Sequence, residues 1–101
     1  MKTILPKELE EKITNGAEIH IIDVREDEEV AQGKIPGAKH IPLGDIPNEL
    51  AKMDKQQHYY VVCHSGGRST AACEYMISQG YDVTNMTGGM SAWQGEIEIN
   101  K

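Results

Sequence analysis

Near the N-terminus apolar residues recur every fourth position. Leu5, Leu9 and Ile13 fall at i, i+4 and i+8, a stripe along one helix face that Asn15-Gly16 closes. The following run, Ile19-His20-Ile21-Ile22-Asp23-Val24, is short, apolar and β-branched, and it reads as a buried strand with Asp23 near its C-terminal end. Open α/β sheets carry their chemistry at that end of their strands. Glu26-Asp27-Glu28-Glu29 reads as the solvated first turn of a short helix, since carboxylates there meet the positive end of the helix dipole.

Gly33-Lys34-Ile35-Pro36-Gly37-Ala38 is turn chemistry. It leads into an extended His40-Ile41-Pro42 and a short helix over residues 46–50. Tyr59-Tyr60-Val61-Val62 is the most strand-like stretch of the chain. It runs directly into Cys63-His64-Ser65-Gly66-Gly67-Arg68-Ser69, and then into a helix over residues 70–79 that Gly80 ends. A last strand at residues 83–86, the pair Gly88-Gly89 and a short helix through Trp93 complete the pattern. Strands alternating with helices predict an α/β fold in three layers: a mostly parallel central sheet flanked by helices. No linker or repeat divides the chain, so residues 1–101 are expected to form one domain.

Composition narrows the function classes. Ten Lys and Arg against 16 Asp and Glu give a net charge of −6, and no basic run interrupts that balance, so a nucleic-acid partner is not expected. The apolar start Ile4-Leu5 is cut by Pro6 and charges, which is no secretory signal, and no segment approaches the roughly 18 apolar residues of a membrane span. The two cysteines, Cys63 and Cys73, form no Cys-x-x-Cys pair, so neither a disulfide framework nor a metal site is suggested. A cytoplasmic setting is expected.

The chemistry gathers where the strand ends at Cys63. A cysteine facing the start of the next helix meets backbone N–H groups without partners, which stabilise its thiolate and also bind anions. Gly66 and Gly67 let the backbone curl so that successive amides point inward, and Arg68 offers a planar cation suited to an oxyanion. Four residues, His64 to Gly67, separate Cys63 from Arg68. Protein tyrosine phosphatases have five between their Cys and Arg. The shorter loop favours one sulfur carried on Cys63 over a whole phosphoryl group.

The chain resembles the rhodanese homology domain, the single-domain sulfurtransferase family. Asp23-Val24-Arg25-Glu26 is similar to the family's acidic strand end, and Gly33-Lys34-Ile35-Pro36-Gly37-Ala38 to its Gly-His-Ile-Pro-Gly-Ala turn. Cys63 through Ser69 resembles its active loop, and Met86-Thr87-Gly88-Gly89-Met90-Ser91-Ala92-Trp93 its closing signature. The resemblance implies a small rhodanese-like α/β fold and catalysis through a persulfide on Cys63. The backbone of His64, Ser65, Gly66, Gly67, Arg68 and Ser69 would hold the sulfur, with no cofactor or metal. The implied partners are a small sulfane-sulfur donor such as thiosulfate and a thiol or cyanide acceptor, or a persulfide-donating protein. A sulfur carrier or regulatory module without turnover is the alternative, ahead of a phosphatase or arsenate reductase on a related fold.

Two positions depart from the family pattern. Lys34 stands where His is usual and is expected at the surface. His64 stands where Arg is frequent, which removes a permanent cation and favours persulfide donors over thiosulfate. Asp23 and Arg25 read as a structural ion pair rather than as catalytic groups. Trp93, Met76, Met86 and Met90 read as core before pocket rim, and His20, His40 and His58 are assigned no role. On the helix after the loop, Ser69, Ala72, Cys73 and Met76 share one stripe, which makes Cys73 a core residue rather than a resolving thiol.

Overall fold

The computed structural model describes residues 1–99. Its sheet has five strands, β1 (Lys2–Ile4), β2 (Ile21–Asp23), β3 (Lys39–His40), β4 (His58–Val62) and β5 (Asp82–Met86), in the order β1-β5-β4-β2-β3. All neighbouring strands are parallel. The helices are α1 (Pro6–Thr14), α2 (Asp27–Val30), α3 (Ile46–Glu49) and α4 (Gly67–Ser78), with 3₁₀ turns at Leu43–Asp45, Leu50–Lys52 and Met90–Ala92.

Successive strand residues alternate between faces and divide the core in two. Ile22, Val61 and Val83 pack with Ala72, Cys73 and Met76 of α4 and with Ile46 and Leu50. Ile21, Val62 and Met86 pack on the opposite face with Leu9 of α1 and with Ile35 and Ala38. Truncating Leu9, which is fully buried, to Ala removes a core anchor, at a typical cost of about 2–5 kcal/mol.

This topology sets the position of the site. From the central pair β2 and β4, the chain after β2 moves outward to β3 across one face, while the chain after β4 moves the other way to β5 through α4 on the opposite face. Right-handed crossovers in opposite directions leave a crevice beyond the carboxyl ends of the two strands. The segments entering it are Val24–Val30 and Cys63–Arg68.

The structure differs from the periodicity reading in several places. Leu5 lies outside α1 as its N-cap and is exposed, because Pro6 at the first helical position starts the helix one residue later. The acidic block does begin α2, with Glu26 as N-cap. The helix after the Cys63 loop starts at Gly67 rather than residue 70, which brings Arg68 and Ser69 into its first turn. The expected stripe Ser69, Ala72, Cys73 and Met76 is the buried face of α4. The edge strand β1, three residues long, carries no period and was not readable from the pattern. Among the described residues no helix is long and apolar enough to cross a membrane.

Candidate active site

Cys63 follows β4 directly and is 1% exposed. The next helix begins with Gly66 as its N-cap at φ +110°, a conformation that costs Gly little, and this residue offers no side-chain oxygen to cap the helix. The Cys63 sulfur takes that acceptor place. The Gly66 N–H donates to Sγ at 2.9 Å. Burial pushes the thiol pKa up, but the Ser69 hydroxyl and the N–H groups of Ser69, Gly66 and Ser65 outweigh it and hold the thiol below its ordinary value.

Beneath the loop lies a closed polar network. Ser69 Oγ is 3.3 Å from Cys63 Sγ, 3.1 Å from the Gly66 carbonyl oxygen and 2.5 Å from Asn85 Oδ1. Asn85 Nδ2 donates to Thr70 Oγ1 at 3.0 Å, and Thr70 donates to the Gly66 carbonyl at 2.7 Å. A serine has one proton to give. With Cys63 as a thiol, S–H donates to Ser69 and Ser69 to Asn85. With Cys63 as a thiolate, the Ser69 proton turns to sulfur.

The Gly88-Gly89 turn clamps the loop from the other side. The Met90 N–H donates to the Cys63 carbonyl at 2.7 Å and the Ser91 N–H to the His64 carbonyl at 2.8 Å. Gly89 adopts φ +60°, and a Cβ there would lie 2.5 Å from backbone atoms of Cys63 and His64. Glycine is required at that point because backbone touches backbone.

The two arginines of the crevice are each held by a carboxylate. Arg25 donates from Nε and Nη2 to the fully buried Asp23 at 2.9–3.1 Å, and its Nη2 also reaches the Gly33 carbonyl at 2.8 Å. This pair fixes the segment between β2 and β3, a structural role as the sequence suggested. Arg68 donates from Nη1 and Nη2 to Glu29 at 2.5 and 2.7 Å. The guanidinium expected to serve an oxyanion is thus bound to a carboxylate. Glu29 in turn is held at a pKa of about 2, mainly by Arg68, against a smaller upward push from burial.

A groove of about 430 Å³ opens beside the loop, lined by His64, Glu29, Met90, Trp93 and Ile97 among others. Met76 and Met86 are core residues with no exposure, whereas Met90 and Trp93 are only half-buried and rim this groove. Lys34 is not at the surface. It is 7% exposed, with Nζ donating to the Ala38 carbonyl at 2.8 Å and paired with Glu98 at 2.6 Å, because the C-terminal segment bridges back over the turn at Lys34 and Glu98.

Of the residues singled out from sequence, the structure gathers Cys63, Ser65, Gly66 and Ser69 around one sulfur. His64 and Gly67 are exposed at the loop surface, and Arg68 faces Glu29. Asn85 and Glu29 were missed. Asn85 is one of two polar residues, with Thr84, between the apolar Val83 and Met86 of β5, the one sequence signal it gave; Glu29 looked like any carboxylate of a helix start.

A family model described as "Rhodanese-like domain" matches residues 5–96. The chain is 49% identical to the Bacillus subtilis protein named "Putative sulfurtransferase YtwF" over 97% of this chain and 95% of that one. It is 33% identical to a Pseudomonas aeruginosa protein named thiosulfate sulfurtransferase GlpE, over 90% of this chain and 82% of that one. A crystal structure of a rhodanese-like domain protein from Staphylococcus aureus superposes with a TM-score of 0.94 at 44% identity, covering 100% of both chains.

Proposed function

The chain belongs to the rhodanese-like domain family, and from that premise we propose that it moves sulfane sulfur through a persulfide on Cys63. The Cys63 thiolate attacks the outer sulfur of thiosulfate or of a persulfide. The bond from that sulfur to the donor remainder breaks, and sulfite or a thiolate leaves with the electron pair. Cys63 then carries one extra sulfur. A thiol or cyanide acceptor attacks that terminal sulfur and frees the Cys63 thiolate for the next cycle.

The observation that carries this reading is the amide donation to sulfur, 2.9 Å from the Gly66 N–H to Sγ in a loop whose helix lacks any other cap. Amides aimed at a fixed point hold an anionic sulfur without reorganising as charge develops. The backbone from His64 through Ser69 is assigned to hold the terminal sulfur. Both cysteines are free thiols, which suits a reducing cytoplasmic setting.

Intact mass spectrometry after incubation with a sulfur donor tests it directly. A gain of about 32 Da, one sulfur atom, located on Cys63 supports the persulfide. Protein that stays at its original mass with every donor overturns it. Multiple turnovers with cyanide separate an enzyme from a carrier that hands over its sulfur once.

A further inference from the structure

Among the described residues, Arg25, Lys34 and Arg68 each have a carboxylate of their own. Arg25 is saturated by Asp23 and backbone carbonyls, and Lys34 by Glu98 and Ala38. Arg68, in the first turn of α4, gives both terminal nitrogens to Glu29. The Glu29 carboxylate is itself pinned, since the Glu26 N–H donates to its Oε1 at 3.0 Å. On the same helix Glu26, Asp27 and Glu28 face solvent. A paired charge has little field at a distance, so the paired Arg68 adds little to the attraction that the inward amides offer an incoming dianion. The groove beside the loop, lined by His64 and Glu29, is rimmed by the apolar side chains of Met90, Trp93 and Ile97.

We propose that Glu29 is a specificity-determining residue. By neutralising Arg68 it turns the Cys63 site away from the small dianion thiosulfate and toward organic persulfides, whose uncharged remainder rests against Met90, Trp93 and Ile97. The proposal builds on the Cys63 persulfide reading. In the favoured step the Cys63 thiolate attacks the outer sulfur of R–S–SH. A sulfur–sulfur bond forms to Cys63, the donor's own sulfur–sulfur bond breaks, and R–S⁻ leaves with the electron pair. No oxidant is consumed.

The test compares rates of Cys63 persulfidation by thiosulfate and by the persulfide of N-acetylcysteine methyl ester, followed by intact mass in wild type, Glu29→Gln and Glu29→Gln/Arg68→Ala. Gln keeps Oε1 as the acceptor for the Glu26 N–H and for Arg68 Nη1, but it removes the negative charge and the second oxygen, so the Arg68 charge is no longer balanced. Glu29→Gln is expected to raise the thiosulfate rate about tenfold, the usual effect of one charge-assisted contact, to make it fall more steeply with salt, and to move the persulfide rate far less. The double variant should lose the gain. An unchanged or lower thiosulfate rate in folded Glu29→Gln overturns the proposal. Should that variant not fold, the wild type decides: its thiosulfate rate is expected to stay flat or rise with salt, and a steep fall would reveal a free cation and overturn the idea. No mass gain on Cys63 from either donor in wild type overturns the persulfide reading itself, a result separable from any Glu29 effect.

Discussion

Cys63 and Cys73 stand at two ends of one short stretch, and both are buried to within 1% of complete exclusion. Their thiols nevertheless move in opposite directions. Cys73 is pushed up to about 12, first by burial and then by the negative charge of Cys63. Cys63 is buried as well, yet hydrogen bonds from Ser69, Gly66 and Ser65 bring it below the ordinary value. Burial is common to both sites and cannot explain the difference. Donors aimed at sulfur do, and these exist only where a helix starts without a side-chain cap. Cys73 sits in the middle of α4, where every backbone N–H has an intrahelical partner.

The sharpest way to break this comparison is to remove each sulfur in turn. Cys63→Ala is expected to abolish sulfur transfer and the mass gain while the protein still melts cooperatively; transfer that survives would place the chemistry elsewhere. Next in size comes Gly89→Ala, which leaves both thiols in place but drives a methyl into the Cys63 and His64 backbone. It should lower the melting temperature by about 5 °C or more and cut transfer well below wild type. Gly44→Ala, which meets nothing within 4 Å, serves as the control.

Ser69→Ala sharpens the comparison without breaking the loop. Removing the Ser69 hydroxyl, one of the donors that lower the Cys63 thiol, should move the midpoint of the Cys63 alkylation profile up toward the ordinary thiol value. The sign follows from the depressed pKa: wild-type Cys63 keeps its thiolate as pH falls below the ordinary thiol range, and the variant loses it sooner. A midpoint that does not move would exclude Ser69 as a donor to sulfur.

The smallest expected effect is at Cys73. Cys73→Ala should cost about 1 kcal/mol of stability and leave transfer close to wild type, and mild peroxide should give no Cys63–Cys73 disulfide. Loss of transfer in that variant, with the fold intact, would make Cys73 part of the chemistry.

The sequence made the strand, loop and helix around Cys63 legible because each step has a local cause. A β-branched run ends, Gly66 takes the positive φ of the curl while Gly67, expected to share it, already starts α4, and an apolar stripe with the period of a helix follows. Asp23 and Arg25 were readable as an ion pair because they lie two residues apart. Arg68 was read correctly as a cation and placed wrongly, since its partner Glu29 lies 39 positions away and only the crevice between β2 and β4 brings them together. Lys34 failed for the same reason, with Glu98 some 64 positions off. Asn85 reaches Ser69 only because α4 returns the chain to β5 beside β4.

Local spacing therefore determined the fold class and which thiol stands at a helix start, because backbone propensity and the helix-start amides act within a few residues. The tertiary structure alone decided how the charges around that sulfur are balanced and which hydroxyl and amide groups serve it. Coulombic pairing and hydrogen bonding act over a few ångströms in space without regard to separation along the chain, so those partners become visible only once the sheet order has been set.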